Sequence, residues 1–237
     1  VYQFWANRDS HEVYYFDPKT DYAPTTAISS ISWDDPNFPN IEGFGVWAAK
    51  CNFTMGPDGK MYSRMLGGNL VRIDVENARG ENLTNGDLVG TKDGSAYGLV
   101  FDPQDENVFY FSNNDKHCIY KYDLRTKECA CWAGQEGKSG YLDGPIGQAM
   151  FNKPGQMCVD SEGNIILTDT ENHCIRKITM STGYVSTLAG KPQNSGYVNG
   201  SAEDAQFKKP LGICIDNDDV MYIGDSENRA IRRLAVE

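Results

Sequence analysis

The three histidines are the residues of this chain that could take part in the widest range of chemistry, and they recur in one pattern. They are His11, His117 and His173, and the last two each open the tripeptide His-Cys-Ile. A metal ion or a nucleophile–base pair needs such groups to converge on one point. Residues at the same position of successive repeats lie in different repeats of the folded chain, so they cannot converge on one ion or one substrate atom. The sequence therefore predicts turn residues that pack or hydrogen-bond locally, and it argues against familiar nucleophilic catalysis.

The seven cysteines are largely copies as well. Four of them occupy two recurring positions, which predicts small buried strand residues: Cys118 with Cys174, and Cys158 with Cys214. Cys129 and Cys131 lie two apart on one predicted strand and so share a face, which leaves a redox or metal pair open. Neighbouring residues on one strand seldom have disulfide geometry, however. An odd number of cysteines also excludes a fully paired framework within one chain.

Carboxylates follow the predicted second strand in two units. Asp169 and Asp225 are equivalent, with Asn113 as their counterpart, and they predict Asx-type turns that cap nearby backbone groups. Calcium binding would need carboxylates one or two residues apart. Residues 216–219, Asp-Asn-Asp-Asp, fit that spacing, but they fall where a tight turn with solvated side chains is expected.

A 56-residue internal repeat underlies these coincidences. Residues 132–178 align with 188–234 without a gap, and the identities include Ala-Gly at 133 and 189 and Ser-Gly-Tyr at 139 and 195. Related segments with more drift lie near residues 11–17, 57–62 and 107–123. Five units are therefore visible, of which the first and the last look incomplete.

Each unit is predicted to be a four-stranded antiparallel blade. Apolar or alternating runs at 157–160, 165–168, 174–178 and 184–188 are separated by turn residues, and helical periodicity is absent. Such units repeated around an axis make a β-propeller. We predict an all-β propeller forming a single domain over 1–237. The complete ring would have five or six blades, with natural residues preceding Val1.

The repeated residues also carry a family resemblance. Residues 172–177, Asn-His-Cys-Ile-Arg-Lys, follow Gly163 and Asp169 and precede Thr-Leu-Ala-Gly at 187–190. This unit resembles the NHL repeat, and its long linker is similar to the 56-residue bacterial variety. The resemblance implies a propeller that binds a ligand or partner, although some relatives are enzymes and fold alone does not decide function. Similarity to bacterial NHL proteins with additional N-terminal domains implies an extracytoplasmic setting.

Charge and hydropathy limit the partners. Lys and Arg total 22 and Asp and Glu total 33, so the formal net charge is −11. Nucleic acid is not expected as a partner, because so acidic a body repels phosphate backbones. No apolar run approaches the roughly 20 residues of a membrane span, so membrane insertion is not expected. No signal peptide is visible at Val1.

The linkers hold the candidate binding residues, because loops on rigid β scaffolds commonly carry recognition. Aromatic side chains of the first linker could stack on sugar faces, and lysines before the inner strands could attract an anionic group at the channel mouth. Plugging between blades and solvated lysines are the structural alternatives. The predicted ligand-binding residues are Trp33, Phe44, Trp47, Lys50, Lys153, Lys208 and Lys209.

The sequence thus favours a non-catalytic propeller that binds a ligand or protein at the face formed by the linkers and the channel mouth. A glycan is the sharper expectation. The alternative is a hydrolase or lyase with a metal-dependent site in the central channel. Apolar inner-strand residues such as Met157 and Ile213 argue against it, because a metal site needs His or carboxylate ligands there. No catalytic residue, metal ligand or cofactor is assigned, and a channel or surface Ca2+ is left open.

Overall fold

The computed structural model describes residues 53–64, 69–77, 79–84 and 97–235, together with the backbone of four strands before residue 34. The chain forms two compact units, Val1–Leu88 and Val89–Glu237. Strands and turns build both units, and the described residues include no α-helix. Among them, no helix has the length and apolarity needed to cross a membrane.

The first unit contains two small sheets. Strands β1 to β3 form an antiparallel sheet in chain order, with the bounds Gln3–Ala6, Val13–Phe16 and Pro24–Ile28. The second sheet is an antiparallel meander of four strands, β5 to β8: Thr54–Met55, Met61–Arg64, Leu70–Asp74 and Arg79–Asn82. Strand β4, Ser32–Trp33, adds to its outer edge parallel to β8.

The second unit contains three sheets. The first is the meander β9 to β12: Leu99–Phe101, Val108–Asn113, Cys118–Asp123 and Cys129–Gly134. The next has β13, Gly144–Pro145, at its edge and then the meander β14 to β17: Pro154–Val159, Ile165–Asp169, Cys174–Thr179 and Tyr184–Ala189. The third is β18 to β20: Pro210–Ile215, Met221–Asp225 and Ala230–Leu234.

Four-stranded antiparallel blades are thus confirmed, and the blade β14 to β17 follows the predicted runs closely. The fold is an all-β propeller in which the first strands of consecutive blades lie side by side, with β14 between β9 and β18. One element was not predicted. The linker before β14 contributes β13, which pairs antiparallel with the outer strand β17 and gives that sheet a fifth strand.

The core lies between consecutive blades. Because side chains alternate along a strand, β15 sends Ile165 and Leu167 toward the preceding sheet and Ile166 toward the following one. All three are fully buried. This two-sided burial explains why β15 is a continuous apolar run rather than an alternating one. The blades therefore hold their connecting turns and linkers on a rigid base.

Candidate functional site

The turn after the second strand places the repeated histidine. Residues Thr170–Asn172 form one turn of 3-10 helix, and Ser226–Asn228 form its counterpart in the next blade. Each turn ends in a left-handed residue, with φ of 59° at His173 and 53° at Arg229. The predicted turn position of the histidines is confirmed for His117, which has φ of 56°, and for His173.

These histidines connect one blade to the next. His117 Nδ1 accepts a hydrogen bond of 3.1 Å from the backbone N–H of Lys153, and His173 Nδ1 accepts one of 3.2 Å from Lys209. Both lysines lie immediately before an inner strand, well after the histidine in sequence. The prediction of only local contacts was therefore wrong, since the fold brings the following linker back over the turn. His11 lies outside the described residues.

Asp169 and Asp225 do not cap turns, contrary to the sequence prediction. Their counterpart Asn113 does, since its Oδ1 accepts a hydrogen bond of 3.1 Å from the Lys116 N–H. Asp169 ends β15 in a fully buried position, and its side chain makes no cap hydrogen bond to the 3-10 turn. Its carboxylate instead accepts hydrogen bonds from Asn152 N–H at 2.8 Å, Asn172 Nδ2 at 2.8 Å and Arg176 Nη1 at 2.7 Å. Burial raises the pKa of Asp169 to about 6, and the positive charge of Arg176 opposes that rise.

Arg176 is the centre of a buried group that we call the arginine clamp: Arg176 and Asp169 with the linker residues they hold. The guanidinium donates to the carbonyl oxygens of Leu142 and Met150, at 3.0 and 3.1 Å, and forms an ion pair with Asp143. The rings of Tyr141 and Phe151 lie 4.9 and 5.1 Å from its central carbon. The clamp therefore fixes the linker that precedes the blade.

The next blade repeats the clamp. Arg232 pairs with Asp225 at 2.9 Å and donates to the carbonyl oxygens of Gln206 and Val198 at 3.0 and 2.7 Å. Tyr197 and Phe207 supply the two rings. One side-chain set thus holds both long linkers in the same way.

Three of the predicted ligand-binding lysines lie where the linkers enter the inner strands. Lys209 Nζ is 3.0 Å from Glu227 and 3.4 Å from Glu171, and Lys208 Nζ is 3.4 Å from Glu227. These glutamates neutralise much of the positive charge. For Lys153, no acidic partner lies within ion-pair distance in the described part of the chain. The role of these three lysines in binding an anionic group stays a prediction.

A cleft of about 390 Å3 opens between β17 and residues 190–203 of the linker that follows. It was not predicted from sequence, because two linkers and one strand meet only in the folded chain. Tyr141 and Thr187 share a hydrogen bond of 2.7 Å at its wall. The lining combines polar and apolar residues: Tyr141, Thr187, Leu188, Ala189, Gly190, Lys191, Pro192, Asn194, Ala202 and Glu203.

The four other predicted ligand-binding residues belong to the first unit. The backbone of Trp33 lies in β4, and no more is described of it. Phe44, Trp47 and Lys50 lie outside the described residues. Their roles stay predictions.

The aspartates of residues 216–219 act within and between turns. Asp216 Oδ1 accepts hydrogen bonds from the N–H groups of Asp218 and Val220, and these bonds to its backbone neighbours lower the pKa of Asp216. Asp219 accepts one of 2.9 Å from Ser161 N–H of the preceding blade. Across the described ranges, no three His, Cys, Asp or Glu residues are placed to hold a metal ion.

The cysteines depart from the prediction at two positions. Cys118, Cys158 and Cys174 are buried as expected, but Cys214 is exposed. Cys158 packs against residues of β18 and β19. Cys131 has a thiol partner, but that partner is Cys118 on the adjacent strand.

Comparison with known proteins identifies the repeated unit. Residues 151–178 match the NHL repeat, a span that begins at Phe151 in the linker and ends within β16. This chain is a β-propeller that contains an NHL repeat. NHL repeat-containing protein 2 of Gallus gallus is 30% identical over 152 residues, which cover 63% of this chain and 19% of that protein.

Solved structures share the propeller. A structural genomics protein of unknown function from Bacteroides thetaiotaomicron has a TM-score of 0.82 and 25% identity, over all of this chain and 56% of that one. An auxiliary nutrient binding protein of the same organism has a TM-score of 0.68 and 22% identity, over 99% of this chain and 58% of that one. The NHL propeller thus spans under a fifth of the curated relative and little more than half of each solved chain.

The matched NHL segment contains the clamp residues that sequence reasoning missed. Arg176 and Asp169 recur one period later as Arg232 and Asp225, in step with the linker aromatic rings. An arginine that recurs together with a carboxylate and two aromatic rings could have indicated a buried ion pair. The same arginine also fits a half-exposed strand in which apolar and basic residues alternate. Burial decided between these readings, because Arg176 is fully buried.

We call the two bonds of His117 with Lys153 and of His173 with Lys209 the histidine junction. This junction makes the stability of the propeller depend on pH. Burial, and then the charge of Lys153, lower the pKa of His117 below its ordinary 6.5. Protonation at Nδ1 would also remove the acceptor for Lys153 N–H. Below pH 6.5 the unfolded chain binds the proton more readily, so we expect the free energy of unfolding to fall as the pH drops through this range.

The check is urea unfolding of the unmodified chain and of a His117 variant at a series of pH values between about 5 and 7. Asp169, with a pKa of about 6, also titrates in this range, so the difference between the two proteins reports on His117. The variant His117→Asn keeps a residue that tolerates left-handed backbone but cannot titrate, and it should flatten this part of the profile. A proton NMR titration should place the His117 pKa below 6.5. A value above 6.5 would contradict the prediction.

Proposed function

We propose that this propeller is a non-catalytic binding module whose ligand is an uncharged polar molecule, with a glycan as the best candidate. The observation that carries the proposal is the cleft beside β17. It combines hydroxyl, amide and ammonium groups with small apolar surfaces, which is the composition expected of a pocket that fixes a polar ligand.

Charge supports an uncharged ligand. Lys191 at the cleft pairs with Asp204 at 3.2 Å, and Glu203 adds a negative charge to the lining. A binding site for phosphate or carboxylate groups would present unpaired cations instead.

The name of the nutrient binding protein of Bacteroides thetaiotaomicron is consistent with a binding role and with an extracytoplasmic setting. The first linker, with Trp33, Phe44, Trp47 and Lys50, is proposed as a separate glycan contact on the chemistry of its residues alone. A partner protein is the other occupant considered for this face. For the alternative, a metal-dependent hydrolase or lyase with its site in the channel, the described residues contain no group of three potential metal ligands.

A glycan array probed with the full chain, followed by calorimetry with the tightest-binding glycan, tests the proposal. Asn194→Ala and Lys191→Ala should each weaken binding by about tenfold, which corresponds to about 1.4 kcal/mol. Lys138→Ala, an exposed lysine of the preceding linker, is the matched control and should bind as the unmodified chain does. Affinity should change little between low and high salt, since no ion pair with the ligand is involved.

Three results would count against parts of this proposal. Binding that survives replacement of both Trp33 and Trp47 by alanine would reject the first linker as a glycan contact. Affinity that drops steeply with salt would show an anionic ligand, and an array without any bound glycan would reject the glycan.

A further inference from the structure

Two thiols meet across the third and fourth strands of the blade β9 to β12. Cys118 opens β11 and is fully buried, whereas Cys131 lies in β12 and is partly exposed. Their side chains lie on the same face of two adjacent strands. The proposed binding function does not involve this pair.

A β-bulge brings the two cysteines together. Cys118 is paired with Gly134, and Tyr120 is paired with Cys131, with a register shift between Ile119 and Tyr120. Cys118 and Cys131 are therefore diagonal neighbours on one face of the sheet, within reach of each other's side chains. Cys131 Sγ also lies 3.8 Å from the carbonyl oxygen of Gly134, the residue opposite Cys118.

The two thiols differ in acidity and in access. The neighbouring thiol of Cys118 lowers the pKa of Cys131, and Cys131, together with burial, raises the pKa of Cys118. The thiolate is the form that attacks disulfides and oxidants. Cys131 is thus the accessible nucleophile, and Cys118 is the buried thiol placed to react second, as in redox-sensing pairs.

We propose that Cys118 and Cys131 form a reversible disulfide that staples β11 to β12. The oxidant is a low-molecular-weight disulfide such as oxidised glutathione. The Cys131 thiolate attacks one of its sulfur atoms, forms a mixed disulfide and releases one thiolate. Cys118 then loses its proton and attacks the Cys131 sulfur, which releases the second thiol. Two protein thiols are oxidised and one small disulfide is reduced to two thiols.

The place of the bond gives it a consequence for the neighbouring linker. Gly134 lies opposite Cys118, and its N–H donates to Ile146 O at 2.9 Å, so the start of the linker is fastened at the same point. Oxidation would add a covalent link between β11 and β12 next to this hydrogen bond. The bond is independent of whether the cleft binds a glycan.

The experiment equilibrates the full chain in mixtures of reduced and oxidised glutathione, quenches with acid, alkylates the remaining thiols and digests with trypsin. Cleavage after lysine places Cys118 in peptide 117–121 and Cys131 in peptide 128–138. We expect mass spectrometry to show these two peptides joined, with two hydrogens lost, in a fraction that rises with the proportion of oxidised glutathione. The oxidised chain should also melt at a higher temperature than the reduced chain.

Cys129 shares the peptide of Cys131 and the same strand, so Cys129→Ser is the matched control and should keep the link. Cys131→Ser should abolish both the link and the melting difference, at a partly exposed position where the fold tolerates serine. The proposal is overturned if the link persists in Cys131→Ser, if it is lost in Cys129→Ser, or if Cys131 retains glutathione without ever joining Cys118.

Discussion

Replacing Arg176 with methionine is expected to lower the free energy of unfolding by about 3–5 kcal/mol, because it leaves the buried Asp169 carboxylate without its counter-charge. It also removes donors from the carbonyl groups of Leu142 and Met150. Urea unfolding followed by fluorescence measures the change. The double variant with Asp169→Asn should be less destabilised than Arg176→Met alone, because no buried charge then remains unpaired.

An exposed ion pair provides the control for the arginine clamp. Arg125 pairs with Asp105 and Asp123, each at 2.7 Å, but more than half of its side chain is exposed. Arg125→Met should therefore lower the free energy of unfolding far less than Arg176→Met does, because water screens the exposed charges. Equal losses for the two arginines would show that the clamp contributes no more than a surface contact.

Replacing Gly98 with alanine is expected to destabilise the protein by about 1–3 kcal/mol through overpacking between blades. A Cβ atom at Gly98 would lie 2.7 Å from the backbone nitrogen of Met157 and 3.0 Å from the Cα of Gln156. Both belong to β14, the inner strand of the next blade. Backbone atoms of a central strand cannot move aside as a flexible side chain can, so the two blades must separate.

Gly147→Ala is the matched control for this packing argument. Gly147 is exposed, and a Cβ atom there meets nothing within 4 Å. Its substitution should change the free energy of unfolding by no more than about 0.5 kcal/mol. Urea midpoints measured side by side give the difference, and a neutral Gly98→Ala would mean that the inner strands are not held at this spacing.

The blade architecture could be predicted because strand and turn signals are local. Residues 165–168 and 174–178 form strands β15 and β16 with at most one residue added at an end. The turn position of His173 was also predicted, although its left-handed conformation was not. The internal repeat strengthened each of these signals, since independent copies agreed.

The site could be predicted less well because its contacts cross between elements. The cleft needs Tyr141 and Asn194 to approach from different linkers, and no local pattern records that approach. The pairing of Cys131 with Cys118 depends on a single bulge that shifts the register of β12. From the spacing in the sequence alone, Cys129 was the expected partner of Cys131.

The histidine junction has a consequence for how such arrays evolve. Acceptor and donor keep one separation in sequence, as in His117 with Lys153 and His173 with Lys209. That separation is shorter than the repeat, so both partners fall inside one period. A duplication of one period carries a complete fastening with it, so an array can gain or lose whole units without new contacts. Length changes between histidine and lysine would break the fastening, and natural variation in length is expected to concentrate outside that span.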